Sequence, residues 1–411
     1  MVKRQENGTD GDRRSVRDLA VVGWSHAGQH AFTAGLGIAI PFVISAFHTS
    51  YAVVGLLLSI AAISGNALQA LSIIVRRTSA KVLFTIQNIG STAGAVLAAI
   101  APSVLVLTLG RFVQSAAGWP QHPIGGSYLS RRYPNQRGRV LSWHVTAGNI
   151  GTLLAPLVIP AIIVHYGWRG AFWFLAVMLA STALVVALWL PASWHRLSET
   201  RGNEGQTGSF WRHFRLLIGQ RPVFALVLAG TIAAGGQGIG IVGVYSPGYL
   251  HSALRVNAFE LSLVLTILYI GAVIGPVLMG VLADRYSHRG ALLVNYVLGA
   301  VFLIVFVLIG RGTSGLALAG LGIGIFTYSE LSLRQTVFSD YLPDDLARAG
   351  FGLFFMASQS IGSIWIAVIG WVVTASGFLA AFLLMALSFL IAAVVVAIGT
   401  RQRLDSRHAS A

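Results

Sequence analysis

Twelve continuous apolar stretches, each roughly 20 residues or longer, constrain this chain more than any other feature, because they set the solvent it folds in. They cover approximately 19–46, 52–75, 80–100, 103–129, 138–164, 168–190, 222–248, 258–282, 290–310, 313–341, 348–373 and 377–400. A hydrocarbon core about 30 Å thick is crossed by roughly 20 residues of α-helix. Lipid offers no partner to an unpaired backbone group, so only helices and closed barrels cross it. Barrel strands alternate apolar and polar residues; these runs do not, and a barrel is excluded. Of the residues, 55% are hydrophobic and only 10% charged, with mean hydropathy +0.74, against roughly 25% charged in a soluble domain. The predicted fold is an all-α membrane protein with twelve transmembrane helices.

A net charge of +15 and a pI near 11.0 would point to nucleic acid in a soluble protein. Placement explains the charge differently, since Lys and Arg in short loops stay on the cytoplasmic side. With the N-terminus inside, only Arg169, Arg255 and Arg311 fall in outer loops, and Arg111 and Arg334 within spans. The remaining Lys and Arg lie in the basic tail, four even-numbered loops, a central linker and the C-terminal tail. The expected location is therefore the cytoplasmic (inner) membrane, multi-pass, with both termini cytoplasmic and no nucleic-acid partner. The basic segment 1–18 runs straight into the first apolar stretch without a small-residue cleavage site, and is read as a tail before a retained helix.

Three landmarks recur at an offset of roughly 208 residues: Pro41 and Pro247, Arg76-Arg77 and Asp284-Arg285, and YPNQRGR (133–139) and LPDDLAR (342–348). Two pseudo-symmetric six-helix bundles follow, at 19–190 and 222–400, joined by the polar cytoplasmic linker 191–221 and followed by a tail at 401–411. Parallel repeats of this kind leave a cavity near the bilayer midplane, the architecture of an alternating-access carrier. The glycine-rich runs 148–151, 235–243 and 320–326 are read as close helix contacts, and Pro41, Pro156, Pro160 and Pro247 as helix kinks.

The motifs resemble the major facilitator superfamily. GVLADRYSHRG (280–290) is similar to its G-x-x-x-D-R-x-x-R loop signature, carried by Gly280, Asp284, Arg285 and Arg289. The resemblance implies that this Asp and its basic partners brace the cytoplasmic gate. The first-half equivalent, SIIVRRTSAK (72–81), keeps Arg77 but has Arg76 where the family usually has Asp. GRFVQSAAG (110–118) resembles the fourth-helix R-x-x-Q-G motif, which implies a role for Arg111 in proton transfer or binding. GNIGTLLAP (148–156) resembles the fifth-helix motif of drug/proton antiporters, and HYGWRGAFWF (165–174) the entry to the sixth helix. WSHAGQHAF (24–32) and the stretch 122–139 look most like fosmidomycin-resistance-type efflux carriers.

Polar groups within spans are the functional candidates, because a centred charge costs about 2.5–3.5 kcal/mol on insertion scales. Glu330 is the acid expected well inside a span, with Arg334 one turn away on the same face. The pair reads either as a proton- or substrate-coupled site or as a permanent ion pair between helices. His26 and His30 share a face of the first helix, beside Gln29, and are suited to relay protons or bind an anion. Gln121 and His122 follow Arg111, and by the repeat offset Gln121 takes the place of Glu330. Asn149, Gln237, Tyr245 and Gln359 complete the pathway candidates, with His144 and Asn295 as weaker ones. The chain has no Cys, and its histidines stand scattered without metal-ligand spacing, so neither metal nor cofactor is expected.

The expected function is secondary active transport of a small organic solute by alternating access, as proton-coupled efflux. The fifth-helix motif favours export. The cations and histidines outnumber the one buried acid and favour an anionic cargo, which leaves a proton-coupled importer of an organic anion such as a carboxylate as the alternative. A non-transporting receptor or scaffold is the third reading. No P-loop or nucleophile–base constellation appears, so neither an ATP-driven pump nor an enzyme is expected. The partners implied are the substrate, protons and lipid, with the chain a monomer.

Overall fold

A computed structural model describes residues 3–69, 71, 75, 78–133, 136–191, 215, 218–341, 354 and 356–400, with side chains from Val16 onward except at 137–138 and 356–357. Among the described residues every regular element is helical. In chain order these are α1 (Lys3–Ala46), α2 (Tyr51–Leu68), α3 (Ala80–Ala99), α4 (Val104–Ala117), α5 (Gln121–Arg132), α6 (Arg137–Trp189), α7 (Arg221–Ala233), α8 (Gly243–Gly248), α9 (Ala258–Arg285), α10 (His288–Leu308), α11 (Thr313–Asp340) and α12 (Ile364–Gly399).

Among the described residues, 9 segments are long and apolar enough to cross a membrane. Two of them, Arg139–Trp189 with 51 residues and Ser358–Gly399 with 42, are each long enough for two crossings. Each turns at a glycine: Gly167 (φ 68, ψ 176) in α6, between two predicted spans, and Gly377 (φ 83, ψ 176) in α12, at the first residue of the last one. Both lie in the left-handed region that a side chain disfavours. The two turns share one conformation at an offset of roughly 210 residues, so the repeat seen in the sequence recurs in the backbone. With α4 and α5 forming one further crossing, the pattern is consistent with twelve.

Two predicted spans are interrupted. The fourth breaks at 118–120 between α4 and α5, where Pro120 has no N–H to continue the ladder. The seventh changes from α7 to a 3₁₀ turn at Ala234–Gly236, is extended at Gln237 (φ −67, ψ 142), and resumes as π-helical and α-helical turns through Ala253. The glycines at 235–243 therefore break the helix as well as pack it. A Cβ on Gly238 would fall 2.2 Å from the Tyr328 ring, so the irregular turn is pressed directly against α11.

The chain divides into two compact units, Met1–Ala39 with Ser64–Arg201, and Ile40–Ile63 with Gly202–Ala411. The end of α1 and most of α2 thus belong to the second unit, where the Tyr51 hydroxyl lies 3.1 Å from Ser252 Oγ and Ser59 Oγ donates to the Ser363 carbonyl at 2.8 Å. The first unit is cored by Val21, Val22, Phe84, Ile124, Tyr128 and Val186, from α1, α3, α5 and α6. Both units expose many large apolar side chains, Ile86, Val177, Val277 and Trp371 among them, as lipid requires. The 192–214 part of the linker and the tail at 401–411 lie outside the described residues.

In the second unit α9 and α11 cross closely. A Cβ on Gly324 would sit 1.9 Å from the Leu268 carbonyl oxygen, and one on Gly271 2.4 Å from that of Leu321. Gly324→Ala is expected to destabilise the detergent-solubilised protein by about 1–3 kcal/mol, the usual cost of overpacking. Gly280→Ala, which meets nothing within 4 Å, should leave the unfolding temperature unchanged. Equal thermal unfolding of the two variants would contradict the crossing.

Candidate functional site

The first unit holds a connected polar network in its interior. Ser25 and Gln29 are one turn apart on α1, and Gln87, Asn88 and Ser91 share a face of α3. Arg111, seven residues or about 10 Å into α4, donates from Nη1 to Gln114 Oε1. Gln114 Nε2 donates to Gln29 Oε1 at 2.8 Å, and Gln29 Nε2 to Ser91 Oγ at 3.0 Å and Asn88 Oδ1 at 3.3 Å. Asn88 Nδ2 donates to Ser25 Oγ at 2.9 Å, and Ser25 Oγ to Gln121 Oε1 at 3.0 Å. Gln87 Nε2 closes the chain on Gln121 Oε1 at 2.5 Å. Burial without such partners would cost each amide several kcal/mol in hydrocarbon, on the order of the transfer penalty of an unpaired polar group.

The next residues along α1 face α6. A Cβ on Gly151 would lie 2.0 Å from the Ala27 carbonyl oxygen, so α1 and α6 touch backbone to backbone there. That contact brings histidines together that stand apart in the sequence. The His26 ring stacks on His144 with centroids 4.2 Å apart, and meets His30 at 4.5 Å and His122 at 5.0 Å edge to face. His26 Nδ1 is 2.7 Å from the His144 carbonyl oxygen. A carbonyl only accepts, so Nδ1 carries the proton and Nε2 of the neutral ring presents a lone pair. Thr152 Oγ1 lies 3.2 Å from His30 Nδ1 and 3.3 Å from the Gly148 carbonyl oxygen, so its single proton serves one of the two. The expectation of scattered histidines is corrected by this convergence. Sequence spacing within one helix carries no information about contacts among α1, α5 and α6.

The second unit carries an ion pair instead. Glu330 is 0% and Arg334 1% exposed, with Arg334 Nε donating to Glu330 Oε1 at 2.6 Å. Tyr296 Oη donates to the same oxygen at 2.9 Å, and Arg334 Nη1 to Ser358 Oγ at 2.9 Å. The guanidinium carbon stands 4.3 Å over the Phe354 ring. Glu330 Oε2 has no hydrogen-bond partner among the described residues. Gln121 and Glu330 are repeat mates by the sequence offset, and so are their donors: the Gln87–Gln121 and Tyr296–Glu330 bonds both span 34 residues.

Two helical repeats with buried polar centres and a discontinuous helix are the features of a membrane carrier, and the comparisons agree. The sequence profile of the Major Facilitator Superfamily matches residues 24–367. The chain belongs to this superfamily. It is therefore a multi-pass membrane transporter, not an enzyme. A Haemophilus influenzae protein named for metabolite transport is 24% identical over 304 residues, 72% of this chain and 73% of its own length. The sialic acid transporter NanX of Escherichia coli is 23% identical over 64% of this chain and 63% of its own. The cis,cis-muconate transport protein of Acinetobacter baylyi is 23% identical over 67% and 66%. In structure the chain is similar to a mutant of the nucleoside transporter NupG, with TM-score 0.77 and 15% identity over 94% of this chain and 100% of that one.

Within this transporter, the signature loop forms contacts that the motif alone does not suggest. Asp284 Oδ1 lies 3.3 Å from His288 Nε2, and His288 Nδ1 2.9 Å from Asp340 Oδ2. Arg289 bonds to the end of α12, through Thr400 Oγ1 at 2.7 Å and the Ala397 carbonyl at 2.9 Å. Arg285 lies over the Tyr286 ring at 5.7 Å, and Gly280 sits half-buried one turn before Asp284. Arg76 and Arg77 lie outside the described residues. Tyr245 is buried and donates to the Ile366 carbonyl, Gln237 marks the helix break, and Gln359 lies in a π-helical turn, Met356–Ile361. Asn149 is half-buried on α6, and Asn295 Nδ2 donates to the Phe326 carbonyl at 2.9 Å.

Ser25, Gln87, Asn88, Ser91, Tyr296 and His288 are additions that sequence reading missed. A signal existed for the α3 group, since Gln87, Asn88 and Ser91 interrupt an otherwise apolar span at helical spacing. Asp18, counted with the tail, is 1% exposed inside α1 and accepts from Tyr128 Oη at 3.1 Å and Arg132 Nε at 3.3 Å. For the Glu330–Arg334 pair, Glu330→Ala is expected to cost about 3–5 kcal/mol, because it strands a buried guanidinium. The double change Glu330→Met with Arg334→Met should recover most of that loss. Thermal unfolding in detergent measures both, and a double variant no better than the single one would contradict the pairing.

Proposed function

We propose that this chain is a proton-coupled carrier of a small organic carboxylate, working in the uptake direction. Arg111 carries the reading. It is a cation within a membrane span, its side chain bonds to the neutral amide of Gln114, and among the described residues no carboxylate lies within ion-pair distance of it. A carboxylate cargo supplies the missing negative charge, and the Gln29–Asn88–Ser25–Gln121 amides and hydroxyls beside Arg111 suit further oxygens on the same molecule. The relatives support this choice, since sialic acid and cis,cis-muconate are both carboxylic acids.

Glu330 is the proton site. Protonation removes its charge and leaves Arg334 as a second cation without a carboxylate partner. One proton and one carboxylate entering together keep the summed charge of the buried groups constant, which is the electrostatic condition for symport through hydrocarbon. Export by proton exchange is the second reading, and the resemblance of 148–156 to the antiporter motif favours it.

Proteoliposomes containing the purified chain test this with labelled muconate and sialic acid as probes. A proton gradient directed inward should drive accumulation. Arg111→Gln should lower transport efficiency by roughly ten- to hundredfold, the equivalent of about 1.5–3 kcal/mol for hydrogen bonds to a charged group. Glu330→Gln should keep exchange of cargo across the membrane while losing gradient-driven accumulation. Accumulation by Glu330→Gln equal to the unaltered protein would defeat the coupling role. A requirement for the opposite gradient would favour export.

A further inference from the structure

The histidine cluster of the first unit has a geometry that proton-coupled transport of a carboxylate does not account for. One ring nitrogen each from His26, His122 and His144 lie within 4.8 Å of one another. The three residues come from α1, α5 and α6, so the arrangement is tertiary. His26 and His144 are buried, and His122 is exposed, which leaves one side of the cluster open. His26 Nε2 is buried without a hydrogen-bond partner, and so are both ring nitrogens of His144 apart from one loose approach to the Gln121 backbone. Bare imidazole nitrogens in a protein interior forgo water without replacing it, and such groups are uncommon unless something else binds them.

We propose that His26, His122 and His144 form a binding site for a borderline first-row divalent cation such as Zn²⁺, Ni²⁺ or Cu²⁺. Neutral imidazoles are the ligands these ions prefer, whereas Mg²⁺ and Ca²⁺ select oxygen. Three histidines around an ion with Zn–N near 2.0–2.1 Å stand about 3.4 Å apart nitrogen to nitrogen, and a fourth position stays open to water or an anion. The observed nitrogens lie within 4.8 Å of one another, so side-chain rotation must draw them together, and the stacked His26 and His144 rings must tilt apart for both lone pairs to meet one ion.

The surroundings match what a histidine-bound ion needs. His26 donates its other nitrogen to the His144 carbonyl at 2.7 Å, and a backbone carbonyl on the distal nitrogen is the usual support of a ligating imidazole. That bond aims the bare Nε2 and holds the ring in place. The rings fit because two glycines stand against them. A Cβ on Gly148 would fall 2.9 Å from His26 Cε1, and one on Gly125 3.2 Å from His144 Nε2. His30 stands edge to face with His26, its ring centroid 4.5 Å away, and borders the cluster. The site is independent of the direction and coupling proposed above.

The test uses the full chain without a polyhistidine tag, purified in detergent and stripped with a chelator. Calorimetric titration with Zn²⁺ should show one site per chain. Co²⁺ should give the visible absorption of a four-coordinate ion, and Cu²⁺ an electron paramagnetic resonance spectrum split by several imidazole nitrogens. His26→Ala, His122→Ala and His144→Ala should each weaken Zn²⁺ binding by at least about tenfold, as loss of a ligand or its support does. His48→Ala, at an exposed position outside the cluster, should leave it unchanged. Metal-free thermal unfolding identifies any variant that fails to fold. His122→Ala, altering an exposed side chain, then carries the test. No saturable Zn²⁺ binding, or binding of full affinity in His122→Ala, would overturn the site.

Discussion

Hydrocarbon gives no hydrogen bonds, and the arrangement of this protein follows from that single deficit. Apolar side chains turn outward and polar ones inward, so the buried inventory includes Gln87, Asn88, Asn295, Glu330 and Arg334, while Ile86, Val177 and Trp371 face out. In water the same distribution would be unstable. In lipid it confines every amide, hydroxyl and charge to the few places where another polar group can meet it. The network from Arg111 to Gln87 is the result in the first unit. Its members bond to one another, leaving Gln87 Oε1 and Gln121 Nε2 unpartnered among the described residues, and removal of any one strands a further donor or acceptor at the ends it joined.

The same deficit governs where helices can break. Gln237 leaves the helical ladder in the middle of an apolar stretch, and the break is enclosed by protein: Gly238 stands against Tyr328, and Trp365 donates to the Thr231 carbonyl at 2.9 Å. Irregular backbone at membrane depth persists only where protein or a wet cavity covers it. Broken helices of this kind place backbone carbonyls and amides where side chains cannot supply them, which is why they accompany binding sites in carriers.

The two repeats began from one plan and now hold different chemistry. Gln87 donates to Gln121 in the first unit as Tyr296 donates to Glu330 in the second, across the same sequence separation. The amides of the first centre are neutral, and its cation, Arg111, has no carboxylate within ion-pair distance among the described residues. The second is an ion pair closed on itself. Neutral amides tolerate a change of partner at little electrostatic cost, whereas a carboxylate and guanidinium in low dielectric must stay paired or exchange one counter-ion for another. A proton and an anion are together such an exchange.

Apolar run length, loop charge and the repeat offset point to the membrane fold and its polar candidates from the sequence alone, and the loop and helix motifs to its superfamily, because these depend on neighbours along the chain and on a uniform solvent. The Glu330–Arg334 pair was legible for the same reason: one helical turn separates the two. Contacts between helices were not legible. Ser25 and Asn88, Tyr296 and Glu330, and His26 with His122 and His144 meet only after glycines such as Gly151 let backbones approach. Nothing in local spacing encodes which faces those crossings oppose. The buried Asp18 and the break at Gln237 belong with them, since each depends on what packs against it. The sequence by itself therefore determined the solvent, the kind of spans and the repeat; the tertiary structure decided which polar side chains touch, because in lipid that choice is made by close packing between helices.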